Sequence, residues 1–321
     1  MADNAAVRHL FARWALPGEV CDAQRCLRIG VRAGYLNLYV RGQSITRISR
    51  VGGATRLAVH PVYVSGHKRH AARPSDLDQR TVTFDSACVS AGQIDSWIEI
   101  AVTYAGAEKA FVDDLVAHNP GALDLEMALP ANTAERKAPR MDLVVAQHGS
   151  LAFWEAKCSD NSELRARSAY RESSDGAYLG GIKVIHQLRK YVAWMEAGRS
   201  DRSCQVRQAY RQVASVLIGL ADKFDVPGDA ARAVWRELAP GAALEVILPP
   251  GLVICNYDAL AQGRDAHFEK AAVANRPYLE VLRGHGVPLV ERLTAGFPCW
   301  RTDWCNRSSQ TIPPKPQASE G

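Results

Sequence analysis

Asp142, Glu155 and Lys157 stand in the segment RMDLVVAQHGSLAFWEAKCSD, residues 140–160, where two carboxylates and an ammonium interrupt apolar runs. The segment reads as strand, tight turn, strand. With His148-Gly149 as a two-residue hairpin loop, Gln147 pairs with Ser150 and the same register sets Asp142 opposite Glu155. Directly opposed side chains have Cβ atoms about 5 Å apart. Alternation along a strand puts Lys157 on the face of Glu155. Two opposed carboxylates repel, so removing either is expected to stabilise the cation-free chain. A hard divalent cation, held by one or two carboxylates with water and phosphate oxygens, resolves that repulsion. Such a cation lowers the pKa of an attacking water, an ammonium orients that water, and both meet the negative charge growing on a pentavalent phosphate. The chemistry these three residues suit is metal-assisted phosphodiester hydrolysis.

Asp142, twelve intervening residues, then Glu155-Ala156-Lys157 resembles the D…ExK signature of the PD-(D/E)xK nuclease superfamily, with Met141 in place of the proline of its name. The resemblance covers roughly residues 95–257. It implies an α/β, restriction-endonuclease-like core in the order αβββαβ, with a mixed sheet flanked by helices. It also implies that Asp142 and Glu155 bind Mg2+ (or Mn2+), that the carbonyl of Ala156 joins them, and that Lys157 serves the nucleophile. The implied substrate is nucleic acid, DNA first, in a restriction or phage-defence setting. RNA cleavage on the same core, and an inert nuclease-like fold that binds nucleic acid or a protein, stand as alternatives. Inert relatives usually lose the lysine or the aspartate, and this chain keeps both.

Two further features extend the resemblance. The family core opens with a helix that often brings an acidic residue, and EKAFVDDLVAH contains Glu108, Asp113 and Asp114. Phe111, Val112, Leu115 and Val116 follow Glu108 by 3, 4, 7 and 8 positions. Glu108 therefore shares the inward face, whereas Asp113 and Asp114 point mainly outward. Glu108 is the expected accessory acid and metal ligand; a carboxylate favoured by a helix start is the plainer reading. Many family members also carry Gln-x-x-x-Tyr on a helix after the ExK strand, and QLRKY supplies Gln187 and Tyr191. A glutamine in an inward stripe needs a partner, here a phosphate, a metal-bound water or a backbone carbonyl. In NSELRAR, Arg165 and Arg167 are placed to grip a DNA backbone or to lie in solvent.

The rest of the chain must position these residues. A short helix is expected over 7–14, then extended runs over 27–31, 35–40, 43–48 and 56–64 punctuated by Gly34 and Gly52-Gly53. Arg28, Arg32, Arg47 and Arg56, with Tyr35 and Tyr39, could form a basic, aromatic face for nucleic acid; the alternative is an ordinary solvated sheet face. Residues 68–90 read as an irregular connection, and helical periodicity runs from Ile94 to about Ala117. Beyond the 141–158 hairpin, one helix buries Ile182, Ile185, Leu188, Val192 and Met195, and a second buries Val206, Tyr210, Val213, Leu217 and Leu220. A helix over 229–238, strands over 244–248 and 252–256, a helix over 264–283 and a short GVPLV strand follow. The expected organisation is a β-rich region over 1–90 for recognition, a protein partner or a homodimer contact, a nuclease-like domain over 91–297 and a disordered tail over 298–321.

The whole-chain totals agree with a nucleic-acid partner without requiring one. The 321 residues carry a formal charge of +5 and are 47% hydrophobic and 23% charged, enough apolar content for a real core. No stretch resembles a signal peptide or a membrane span, which leads to the expectation of a soluble, cytoplasmic chain. The eight cysteines are scattered, so reduced thiols are expected; a four-thiolate zinc site from Cys21, Cys26, Cys299 and Cys305 lacks compact CxxC spacing. No GxxxxGK[ST] loop is present, so no ATP-driven motor resides in this chain.

Overall fold

The computed structural model describes residues 4–19, 26–65, 81–128, 140–158, 161–164, 167–171, 178–196, 199–238, 243–255 and 289–291. The expected helix over 264–283 and the expected tail lie outside the described residues. The chain is α/β and folds as two compact units, each discontinuous in sequence.

The first unit comprises residues 1–126, 143–149 and 207–244. Helix α1 (Ala5–Phe11) starts where the Asn4 side chain accepts from the Val7 N–H at 3.1 Å. Five antiparallel strands follow in a meander: β1 (Arg28–Arg32), β2 (Tyr35–Val40), β3 (Gln43–Val51), β4 (Ala54–Val59) and β5 (Val82–Asp85). Gly52 and Gly53 both have positive φ, the conformation a two-residue hairpin turn demands and glycine adopts at least cost. Cross-strand rows show why the sequence alternates. Leu36, Ile48, Leu57 and Phe84 lie in one row, whereas Tyr35, Ser49, Arg56 and Asp85 lie in the next, on the other face. The apolar face is covered by helix α3 (Ala91–Thr103), whose Ile94, Trp97 and Ile98 are buried and whose start is closed by a Ser90–Gln93 capping box.

Several expectations are corrected in this unit. The extended run over 56–64 ends at Val59, and Pro61 opens helix α2 (Pro61–Ser65), a position its fixed φ and missing N–H suit. The connection over 68–90 includes β5 and a 3-10 turn over Ser86–Cys88. The long helix over 94–117 is two, α3 and α4 (Ala107–His118), separated at Tyr104–Gly106. The apolar periodicity continues across the break, which hides it. Cys26 is disulfide-bonded, against the expectation of reduced thiols throughout, so it does not serve a thiolate zinc site.

The second unit comprises residues 127–142, 150–206 and 245–321. Its central strand is β8 (Ser150–Cys158), which follows β6 (Ala122–Ala128) and β7 (Arg140–Gln147) in the chain. β12 (Gly251–Cys255) runs parallel to β8 with Leu252 opposite Glu155 and Ile254 opposite Lys157. β13 (Leu289–Glu291) runs parallel to β12, and the short β11 (Glu245–Val246) pairs parallel with the start of β8. Within this unit the strand order is β13-β12-β8, with β11 beside β8. A parallel strand covered on both faces reads as a near-continuous apolar run, and every residue from Leu151 to Cys158 is buried. A separate antiparallel pair, β9 (Arg167–Arg171) and β10 (Tyr178–Ile182), leads into helix α5 (Lys183–Glu196). Helix α6 (Arg199–Lys223) passes from the second unit to the first, where α7 (Asp229–Glu237) follows.

Candidate active site

The β7–β8 turn forms as the sequence requires. His148 and Gly149 have φ of 48° and 72°, the paired left-handed residues of a type I′ loop. This two-residue loop sets the phase of both strands. Asp142 Oδ2 accepts from the Ala156 N–H at 2.9 Å, so the aspartate is tied to the β8 backbone between Glu155 and Lys157.

Glu155 and Lys157 share one face of β8, as alternation predicts, and their side chains meet. Lys157 Nζ lies 2.7 Å from Glu155 Oε1, with the two side chains only 6% and 1% exposed. Helix α5 brings Gln187 and Tyr191, four residues apart, onto the same carboxylate. Gln187 Nε2 donates to Glu155 Oε1 at 2.7 Å and to the Tyr191 hydroxyl oxygen at 2.9 Å. The Tyr191 hydroxyl lies 3.3 Å from Glu155 Oε2 and donates to the Arg140 carbonyl. The α5 stripe buries Val184, Ile185, Leu188, Tyr191 and Met195, which turns Gln187 toward β8. Burial first, then the charge of Glu155, push the Tyr191 phenol far above its ordinary range, and Asp142 adds to that field. Tyr191 is therefore a neutral donor at any physiological pH.

Two participants escaped the sequence reading. Glu163 sits in a 3-10 turn, Ser162–Leu164, directly after β8. One of its oxygens, Oε2, lies 3.5 Å from Lys157 Nζ, and the other accepts from Lys183 Nζ. Burial works to raise the Glu163 carboxyl, but the Lys183 hydrogen bond and the charges of Lys157 and Lys183 outweigh it, so it titrates below its ordinary range. Lys183 is the first residue of α5, where the helix dipole disfavours a cation. A lysine at a helix start was the signal available, but it becomes visible only once that start is known.

The remaining expected residues are distributed as follows. Glu108 lies half-buried in the first turn of α4, in the first unit. Its neighbour Asp113, expected to point outward, is 4% exposed and paired with Arg28 at 3.4 Å. Arg165 lies outside the described residues, and Arg167 opens β9. Arg28, Arg32 and Arg47 lie on the Tyr35 face of the meander as expected, but only Arg47 is exposed, its guanidinium 5.3 Å from the centre of the Tyr35 ring. Arg28 is buried and donates to the Ala15 and Leu16 carbonyls. Arg32 is turned inward onto Asp124 at 2.6 Å and the Tyr39 hydroxyl at 3.1 Å. These two arginines hold the first unit together rather than presenting a solvent face, a correction to the expected basic surface.

Among the described residues no group of three or more His, Cys, Asp or Glu side chains is gathered for a metal, and no helix is long and apolar enough to cross a membrane. Magnesium does not require such a group, since one or two carboxylates with water and phosphate oxygens suffice. Asp142 and Glu155 are hard oxygen donors, Asp142 tied to the β8 backbone beside Glu155, and a pair of that chemistry fits a hard divalent cation. Comparison with protein-family profiles, with curated proteins and with solved structures found no match.

Proposed function

We propose that this chain is a metal-dependent nuclease of the PD-(D/E)xK kind that hydrolyses phosphodiester bonds in DNA. The observation that carries the reading is the convergence on one buried carboxylate. Glu155 takes Lys157 at 2.7 Å and Gln187 at 2.7 Å, with Tyr191 at 3.3 Å and Asp142 tied to the adjoining Ala156 N–H. Chain order supports it as well: α4, β6, β7, β8, α5 and β12 follow the αβββαβ order of that core, and β12 runs parallel to β8. In this chain β9 and β10 are inserted before α5, and α6, α7 and β11 before β12.

In this reading Asp142, Glu155 and the Ala156 carbonyl would hold Mg2+ or Mn2+. When bound, the cation supplies positive charge to the phosphate and acidifies the attacking water. The chain's own residues do the rest. Lys157 holds the water in line through its ammonium. Gln187 and Tyr191 fix the Glu155 carboxylate so that it need not reorganise as charge develops. Arg47 and Tyr35, and the Arg165–Arg167 segment, are assigned to the nucleic-acid backbone and bases.

The test is a cleavage panel of plasmid, linear duplex, single-stranded DNA and RNA, with magnesium, manganese, calcium or EDTA. DNA should be cut with magnesium or manganese, poorly with calcium, whose looser coordination positions water badly, and not in EDTA. Undiminished cleavage in excess chelator overturns the metal role. Binding without cleavage of any substrate would favour an inert nucleic-acid-binding fold.

A further inference from the structure

We propose that Glu163 is the positioning residue for the Lys157 ammonium, itself held in place by Lys183. The inference rests on the metal-dependent reading above and assigns a role to two residues outside the family motif.

Glu155 and Glu163 both place a carboxylate oxygen beside Lys157 Nζ. Glu155 Oε1 is at 2.7 Å and Glu163 Oε2 at 3.5 Å. Glu155 is shared, because Gln187 and Tyr191 also bind it and a cation would claim it too. A carboxylate committed to a divalent ion holds a neighbouring ammonium less well, since the two positive charges repel across it. Glu163, whose carboxylate reaches the ammonium from the turn directly after β8, then takes over the task of fixing the lysine. Its mounting suits that task. The Asn161 N–H donates to the Cys158 carbonyl at the end of β8 at 2.8 Å, and the Glu163 N–H donates to Asn161 Oδ1 at 2.9 Å. Leu164, next in the turn, is fully buried. The second Glu163 oxygen takes the Lys183 amine, so the carboxylate cannot rotate away without losing both lysines. Lys183 in turn gains an anion at a helix start where its charge is otherwise disfavoured.

A plain surface ion pair would contribute little to stability and nothing to turnover. The test therefore reads rates and amine chemistry rather than folding. Glu163→Gln, Glu163→Asp and Lys183→Met are made in the full chain and compared with wild type on DNA with Mn2+. Glu163→Gln should lower kcat roughly tenfold to a hundredfold, because a misplaced catalytic group costs that much. KM should stay within about twofold, since no substrate contact is removed. Glu163→Asp should recover part of kcat, and Lys183→Met should fall between wild type and Glu163→Gln. In parallel, acylation of the Lys157 amine is followed by peptide mass spectrometry in protein saturated with Mn2+. The amine should react several-fold faster in Glu163→Gln than in wild type, and Mn2+ affinity should be the same in both. Unchanged kcat, or a loss confined to KM, overturns the inference. If wild type cleaves nothing, the nuclease reading fails by itself; equal acylation rates in the two Mn2+-saturated proteins would then overturn the positioning role separately.

Discussion

At Glu155 a buried carboxylate is surrounded by donors, and this changes what its removal should do. Two opposed carboxylates suggested relief of repulsion on deleting one, but the structure pairs Glu155 with Lys157 at 2.7 Å, both side chains buried. Glu155→Ala should therefore destabilise the protein by about 3 kcal/mol, as breaking a buried ion pair strands the partner charge. Urea denaturation checks this, and a more stable variant would restore the repulsion reading. Glu163 gives a pH signature. Its carboxyl is held below its ordinary range, so its contribution to stability is complete above the unfolded value of roughly 4.3 and is lost as the pH falls through the lowered folded value. The Tm gap between wild type and Glu163→Gln should be present at neutral pH and close in acid. Asp142, Glu155, Lys157, Gln187 and Tyr191 were legible because each sits at a fixed spacing within a strand pair or a helix face. Glu163 and Lys183 were not, since their meeting depends on the path of a short turn and on where α5 begins.

At the scale of elements the hairpin of β7 and β8 is the part that had to be right. A one-residue slip would turn Asp142, Glu155 and Lys157 to the wrong faces, and the His148–Gly149 loop forbids it. Close packing of the parallel strands gives a further prediction. A Cβ added at Gly251 would lie 2.3 Å from the Trp154 ring, where β12 passes β8. Gly251→Ala should cost about 1–3 kcal/mol through overpacking, read as a lower urea midpoint with an unchanged m-value. An unchanged midpoint would mean that the ring has room to move. The helices α5 and α6 were visible in their apolar stripes, although α6 buries Ala214 and Ala221 where Val213 and Leu220 were expected to lead. Small residues let a neighbouring element approach closely, and hydrophobicity counts undervalue them. The β9–β10 pair was missed because its strands are short, and RSAYR and YLGGI show no sustained alternation.

For the whole molecule, the charge of +5 agreed with an anionic partner without requiring one, and part of that charge is internal. Arg28 and Arg32 are committed to Asp113 and Asp124, so Arg28→Met should act on folding, losing about 3–5 kcal/mol by stranding a buried carboxylate. Arg47→Ala should instead leave stability alone and, if the exposed strand face meets a phosphate, lower the log–log salt slope of DNA binding by about one. An unchanged slope would remove Arg47 from the interface. The arginines were correctly placed on one sheet face; which part of that face other elements cover is tertiary information that alternation does not carry. The most direct test of the central claim is DNA cleavage by wild type and Lys157→Ala at matched folded concentration across a magnesium titration. Wild type should gain activity with magnesium and lose it in chelator, while Lys157→Ala stays folded and loses most turnover at every magnesium concentration. A Lys157→Ala protein that cleaves within a few-fold of wild type would contradict the assignment.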